Sequence, residues 1–313
     1  MVLVSVLMGS YNHEKYIGEA IESVLNQTFP DLELIIIDDC STDNSRAIIE
    51  KYQAKDSRVR AFFHKKNMGI PRTANDGLKE AKGKFVSFIG SDDIWLSFKL
   101  EKQLPLIKKN EDKVIWSDGK IINSQGSFTG QTVTQLLCSP KKKSGNLFQE
   151  LLMEDFVFGQ SVLVKTKYAQ EIGFDEGLRY VNDHLFFVNL SKNHEFVFVP
   201  EPLAKYRLHG GNVTLKNEKL WLKERIVLRK YFLEKYGNEI SSSSLSNIYY
   251  KLGHAFWGLD DKDSAKRLYL QAIRVDPFHT YSALYLILAL TNGEGLMGKF
   301  LTTSYKKVVS FLV

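Results

Sequence analysis

The strongest constraint on the fold is an alternation that repeats through the first part of the chain. Four short apolar runs, Val2–Met8, Leu32–Ile37, Val59–Phe63 and Phe85–Ile89, are separated by stretches with helical spacing. The runs are rich in β-branched and aromatic residues and largely lack polar alternation, so they read as strands covered on both faces. Between the first two, Ile17, Ala20, Ile21, Val24 and Leu25 recur on one helical face, with Glu14, Lys15, Glu19 and Glu22 between them. Asn12 or His13 lies near the start of that helix, and Asn is a good N-cap. Ala47, Ile48, Ile49 and Tyr52 mark a second helix; Arg72–Ala81 marks a third, after a turn over Asn67–Pro71. A βαβαβαβ series with short connections predicts a parallel, doubly wound sheet with right-handed crossovers.

Open α/β sheets bind ligands beyond the carboxyl ends of their strands. Polar clusters stand at three of those ends: Ser10-Tyr11-Asn12, Asp38-Asp39 and Asp92-Asp93. Two adjacent carboxylates repel each other unless a cation stands between them, and hard divalent cations prefer oxygen ligands. Mg²⁺ and Mn²⁺ both suit Asp92 and Asp93. The first turn, Gly9-Ser10-Tyr11-Asn12, lacks the glycine-rich dinucleotide fingerprint, and there is no Walker motif. A nucleotide must be held by other means.

Taken together, Ser5–Asn12, Ile37–Asp43, Asn67-Met68-Gly69 with Asn75-Asp76-Gly77-Leu78, and Ser91-Asp92-Asp93 resemble the family 2 glycosyltransferases of the GT-A fold. The likeness continues through Gly173-Phe174-Asp175-Glu176, Asn182-Asp183 and the segment Tyr206–Thr214, so it covers about residues 1–214. Asn182 stands where the family usually carries Glu, and the helix after Gly69 lacks the common Ala-Arg-Asn.

The resemblance implies an α/β GT-A catalytic domain over residues 1–215, with a mainly parallel sheet flanked by helices. It implies an inverting, metal-dependent transfer from a nucleotide-diphosphate sugar, a UDP-sugar first, to a glycan or lipid-linked acceptor in surface-polysaccharide assembly. The implied nucleotide contacts are Ser10, Tyr11, Asp38, Asp39, Asn67, Gly69, Asn75, Asp92 and Arg207. Asp39 would meet the nucleobase, where a carboxylate can accept from a ring N–H. Asp93 and His209 would hold Mg²⁺ or Mn²⁺, and Asp183 would be the catalytic base. Leu136–Phe158, with Lys141-Lys142-Lys143, would help form the acceptor side.

Residues 216–313 read as a helical extension. Leu220–Tyr236 is a charged amphipathic helix, and Ser241–Ser244 looks like a linker. Ile248–Pro277 resembles a single tetratricopeptide-type hairpin through Gly253, Ala265, Tyr269, Ala272 and Asp276-Pro277. One such repeat needs neighbours to complete its core, so it packs on the catalytic domain, on a partner protein or on a second copy. Ser282–Val313, with Lys299, Lys306 and Lys307, reads either as a core-packing helix pair or as an interfacial segment for anionic lipid.

A formal net charge of +6 suits anionic ligands or an anionic membrane surface and does not indicate a nucleic-acid binder. Cys40 and Cys138 have no metal-type spacing and read as free thiols in a reducing cytosol. The N-terminus shows no signal peptide, and the apolar run Tyr281–Leu290 is too short to span a bilayer. The expected location is therefore the cytoplasm, with peripheral contact at the cytoplasmic face of the inner membrane. Two other classes share these features: a nucleotide-sugar-binding protein without turnover, suggested by Asn182, and an interaction protein acting through the helical hairpin. Donor turnover separates the first from an enzyme, and truncation after about residue 240 separates the second. A nucleotidyltransferase would share the sheet but carry a glycine-rich, basic first loop, which residues 9–12 are not.

Overall fold

Among the described residues nine strands join in one sheet: β1 (Val4–Ser10), β2 (Leu32–Asp38), β3 (Val59–Phe63), β4 (Phe85–Gly90), β5 (Ile94–Trp95), β6 (Val114–Ile122), β7 (Phe128–Thr132), β8 (Leu163–Lys165) and β9 (Phe196–Arg207). The helices are α1 (Ile17–Leu25), α2 (Ser45–Lys55), α3 (Ile70–Glu80), α4 (Lys99–Lys109), α5 (Val133–Leu136), α6 (Phe148–Met153), α7 (Thr166–Ile172), α8 (Asn182–Ser191), α9 (Glu218–Tyr236), α10 (Ser242–Gly258), α11 (Lys262–Val275) and α12 (Thr280–Leu290). This computed structural model describes residues 2–137, 143–212 and 217–290, the last four as backbone. Cys138, Lys141, Lys142, Lys299, Lys306 and Lys307, on which sequence expectations rest, lie outside the described residues.

The strand order is β3-β2-β1-β4-β8-β6-β9-β5, with β7 paired to β6. The four strands legible in the sequence are parallel, and Ser10 stands beside Asp38 while Gly9 stands beside Gly90. Their carboxyl ends therefore share one rim. Beyond β4 the sheet is mixed. β8 runs antiparallel to β4 and β6, β9 is parallel to β6, and β5 is antiparallel to β9.

β1 and β2 are buried almost throughout, as a strand covered on both faces must be. Ile17, Ala20, Ile21 and Val24 of α1 are fully buried on the sheet. Each large one is worth about 1.5–3 kcal/mol of burial. Of the polar exceptions in β1 and β2, Ser5 and Glu33 are paired. Ser5 Oγ donates to Glu33 Oε1 at 2.7 Å, and Arg60 Nη1 donates to Glu33 Oε2 at 2.9 Å. Burial works against the Glu33 charge, yet the bonds from Ser5, Lys82 and Arg60 hold its carboxyl below the usual range. Gly83 is required beside them, because a Cβ there would stand 2.5 Å from the Ser5 nitrogen.

Two local expectations change. α1 begins at Ile17 with Tyr16 as its N-cap, and Asn12 is left-handed at φ 55° and does not cap it. Ser241 is not in a linker: it caps α10 by accepting from the Ser244 N–H.

By contact density the chain forms two compact units, residues 1–147 with 156–208, and residues 148–155 with 209–313. The second unit is helical. The Phe148 ring of α6 meets Tyr236 of α9 edge-on at 5.3 Å, and the Gln149 amide donates to the Glu239 carbonyl at 2.7 Å. α10 and α11 pack closely enough that a Cβ on Gly253 would stand 2.6 Å from the Tyr269 ring, with Ala265 and Ala272 buried in the same seam. Among the described residues no helix is long and apolar enough to cross a membrane.

Candidate functional site

The rim at the carboxyl ends of β1, β2 and β4 holds the polar clusters, and the loops there clasp one another. The Asn12 side chain accepts the Thr42 N–H at 2.8 Å, Ser41 Oγ accepts the Asn12 N–H at 2.9 Å, and Asp43 accepts the Glu14 N–H at 2.9 Å. Asn12 and Cys40 both sit at positive φ, a cost a non-glycine residue sustains only where its surroundings fix it.

Each carboxylate has a different task. Asp38 is buried and accepts the Ser41 N–H at 2.9 Å and the Ser41 hydroxyl at 2.6 Å, so it closes the end of β2. Asp39, also buried, accepts the Met68 N–H at 2.6 Å and the Gly69 N–H at 2.8 Å, one on each oxygen. This fixes the Asn67-Met68-Gly69 turn, in which Gly69 has φ 86°. Asn67 adds a 3.3 Å bond to the Asp39 carbonyl. Ser10 Oγ is buried with no hydrogen-bond partner among the described residues, whereas Tyr11 is 45% exposed.

Asp93 is 1% exposed. Its Oδ1 accepts the Arg207 N–H at 2.9 Å, and its Oδ2 is buried with no hydrogen-bond partner among the described residues. Burial first, and the Asp92 carboxylate second, push the Asp93 carboxyl well above the usual range. A buried carboxylate oxygen without a donor is costly, and a cation removes that cost. The donor set here is oxygen from Asp93 and Asp92, so the residues fit a hard divalent ion. Gly90 makes room for the pair. A Cβ there would stand 2.7 Å from Asp92 Oδ1 and 2.9 Å from Asp93 Oδ2.

Arg207 holds this pair from behind. Its Nε donates to the Asp92 carbonyl at 2.9 Å, its Nη2 to Glu19 Oε2 at 2.6 Å, and its guanidinium lies 4.8 Å from the centre of the Tyr16 ring. The pairing of β5 with β9 brings it there. His13 lies on the other side, with Nδ1 2.8 Å from Ser91 Oγ and Nε2 3.8 Å from Asp92 Oδ2.

The sequence of this whole region, residues 5–169, matches the pattern of glycosyl transferase family 2, over more than half of the chain. The chain belongs to that family. It is 28% identical over 237 residues to the putative teichuronic acid biosynthesis glycosyltransferase TuaG of Bacillus subtilis, covering 74% of this chain and 91% of TuaG. It is 31% identical to the uncharacterized glycosyltransferase MJ1057 of Methanocaldococcus jannaschii, covering 70% and 76%. It is 30% identical to an uncharacterized glycosyltransferase of Rickettsia bellii, where the match covers 74% of this chain but only 32% of the longer protein. The crystal structure of Staphylococcus aureus TarS 1-349 in complex with UDP-GlcNAc superposes with a TM-score of 0.63 at 19% identity, over 90% of this chain and 91% of that one. These family 2 relatives place the chain among glycosyltransferase enzymes, and the α/β sheet with flanking helices is the expected GT-A arrangement.

In this glycosyltransferase the later part of the catalytic unit is tied to the rim by aromatic rings. Phe174 stacks on Phe186 of α8 at 4.4 Å, and Phe88 of β4 meets both edge-on at 5.7 and 5.9 Å. Asn75 of α3 holds the same turn, accepting the Phe174 N–H and donating to the Phe174 carbonyl, both at 2.8 Å. Asn182 is buried and donates to the Arg179 carbonyl at 3.0 Å, while Asp183 is exposed in the first turn of α8. An open groove of about 490 Å³ runs beside the turn, lined by Asn75, Lys79, Gln170, Gly173, Phe174 and Glu176, and by none of the strand-end carboxylates.

His209 opens the second unit. There its N–H donates to Asn212 Oδ1 at 2.5 Å and its Nδ1 accepts the Gly211 N–H at 3.1 Å, so a ligand bond from this ring would run through Nε2. The side chains left without a role at the site by the sequence alone are His13, Glu19, His64 and Asp76. Asp76 lies within the Asn75–Leu78 motif and the others in no motif of their own, and all four reach the rim only through the fold.

Proposed function

We propose that this chain is an inverting, cation-dependent glycosyltransferase that moves a sugar from a uridine-diphosphate donor to a glycan or lipid-linked acceptor in surface-polysaccharide assembly. The observation that carries this reading is the buried Oδ2 of Asp93, beside Asp92 at the carboxyl end of β4, which has no hydrogen-bond partner among the described residues. Related proteins support the donor and the context: TarS with UDP-GlcNAc, and the putative teichuronic acid biosynthesis glycosyltransferase TuaG. A mannosyltransferase of the same fold, from Pyrobaculum calidifontis, binds GDP-Man and Mn²⁺.

Asp93 and Asp92 would hold Mg²⁺ or Mn²⁺. Once bound, the ion supplies positive charge against the leaving diphosphate. Asp39 retains one acceptor position on Oδ2, which suits a single ring N–H such as that of a uracil imide. Ser10 offers its unpaired hydroxyl beneath the base and ribose, and the exposed Tyr11 ring flanks them. Asp38, Asn67, Gly69, Asn75 and Arg207 act on the nucleotide by fixing the loops around it, since their bonds run to the protein itself. Asp183 takes the proton from the acceptor hydroxyl. An inverting displacement needs that base on the face opposite the leaving group, away from the metal carboxylates. Peripheral attachment to an anionic membrane, through about residues 282–313, and self-association through the C-terminal helices belong to the same reading.

The test is turnover. Purified protein is incubated with UDP-sugars, acceptor extract and Mn²⁺, and UDP release and the anomeric configuration of the product are followed. Transfer should require the ion, fail in Asp93→Asn, and invert configuration. Transfer at full rate in chelator, or a product of retained configuration, would sink the proposal.

A further inference from the structure

His64 follows β3 and lies between two carboxylates. Its N–H donates to the Asp38 carbonyl at 2.9 Å, which fixes its backbone at the rim. Its ring is 16% exposed, with Nδ1 2.8 Å from Asp39 Oδ1 and Nε2 3.4 Å from Asp76 Oδ2. An ionised carboxylate can only accept, so the ring donates to Asp39 through a proton on Nδ1. Asp76, facing the other ring nitrogen, is itself held in place. Arg72 Nε reaches its Oδ2 at 2.8 Å and Lys79 Nζ its Oδ1 at 2.9 Å. Burial opposes the Asp76 charge, but the bonds from Lys79 and Arg72 hold its carboxyl below the usual range.

The consequence falls on Asp39. Its Oδ1 takes two donors, the Met68 N–H and His64 Nδ1, whereas its Oδ2 takes only the Gly69 N–H. The carboxyl plane is thereby fixed, and the one acceptor position left open is on Oδ2. We propose that His64, with Asp76 facing its other ring nitrogen, is the positioning residue of the nucleobase carboxylate: it occupies Asp39 Oδ1 and keeps Oδ2 turned to the nucleotide. The proposal rests on the reading of Asp39 as the nucleobase contact. His64 does not touch the nucleotide itself. Its loss frees the carboxylate to rotate and to spend Oδ2 on solvent or on Met68.

The test measures UDP binding by calorimetry in Mg²⁺ for the full chain and four variants. His64→Leu should weaken UDP about tenfold, the size of one hydrogen bond to a charged group. His64→Asn should recover most of that loss, because its amide N–H can stand where Nδ1–H stands. A purely structural histidine would not show that rescue. Asp76→Asn should weaken UDP in the same direction, with a melting temperature within a few degrees of wild type, and it serves in place of His64→Leu if that variant does not fold. Asp39→Asn separates the two levels. If Asp39→Asn loses UDP while His64→Leu and Asp76→Asn bind it within twofold of wild type, the positioning role is wrong and the reading of Asp39 stands. If Asp39→Asn binds UDP normally, the reading of Asp39 fails and the positioning role fails with it.

Discussion

Replacing Arg207 by methionine separates a phosphate-binding arginine from one that holds the metal carboxylates. The side chain is 2% exposed. Its Nε bond to the Asp92 carbonyl, at 2.9 Å, is charge-assisted and worth about 1.5 kcal/mol. Its pair with Glu19 is shorter, but the Glu19 side chain is 58% exposed, so solvent limits that pair to about 1 kcal/mol. The Tyr16 face adds about 0.5 kcal/mol. Methionine keeps the apolar stem and its packing. The expected loss is about 3 kcal/mol, which in a unit of about 200 residues lowers the melting temperature by roughly 6–12 °C. The Asp92–Asp93 loop loses its strap, so Mn²⁺ affinity should fall about tenfold or more. Scanning calorimetry and a Mn²⁺ titration read the two effects. An unchanged melting temperature and unchanged Mn²⁺ affinity, with only diphosphate affinity lost, would refute this and return Arg207 to the phosphates.

Gly90→Ala should fold normally but weaken divalent-ion binding, because its methyl would stand 2.7 Å from an Asp92 oxygen; unaltered ion affinity in a titration would show that the carboxylates do not face the ion. Asp183→Asn should cut transfer by about 10²-fold or more while leaving UDP affinity within a few-fold, and near-wild-type turnover would exclude it as the base. Acid should weaken the second unit. Burial, with the charges of Lys251, Arg225 and Arg229, lowers the His254 ring to about 4. The unfolded chain therefore takes up that proton first, and stability is lost as pH falls from the usual histidine range towards 4, by about 2 kcal/mol between pH 7 and pH 5. Glu154 is lowered to about 2, with burial opposing and Lys251 and Arg225 prevailing, so its contribution is lost at still lower pH, from the usual carboxylate range down towards 2. Urea unfolding at pH 7 and pH 5 checks the first step, and His254→Leu should flatten it.

The half of the sheet that the sequence made legible is the half whose strands are long, apolar and joined by ordinary crossover helices. Val4–Ser10 and Leu32–Asp38 announce themselves because both faces are covered. The other half is built differently. β5 has two residues and β8 three, and the β6–β9 pairing shifts register around Ser117, Asp118 and Gly119. No periodicity survives in such pieces. The site shows the same division. Asp92-Asp93 and Asp38-Asp39 are visible as pairs, but their tasks are not: Asp38 closes a strand end, and Asp93 keeps an oxygen bare. That difference depends on which N–H groups the neighbouring loops bring, and those loops come from distant parts of the chain. His64 and Asp76 meet only because β3 and α3 lie beside the end of β2.

The path of the chain between its two units has a consequence during synthesis. Phe148–Asp155 is made before Phe156–Leu208 yet belongs with the helices that begin after His209. Phe148, Leu151 and Leu152 leave the ribosome as an apolar strip whose helical partners, including Tyr236, are still dozens of codons away. The catalytic sheet must close around a segment it does not keep. A nascent chain stalled once β9 has emerged would therefore carry a finished strand-end rim and a sticky, unclaimed helix at the same time, and that species is the one on which a holding chaperone would act.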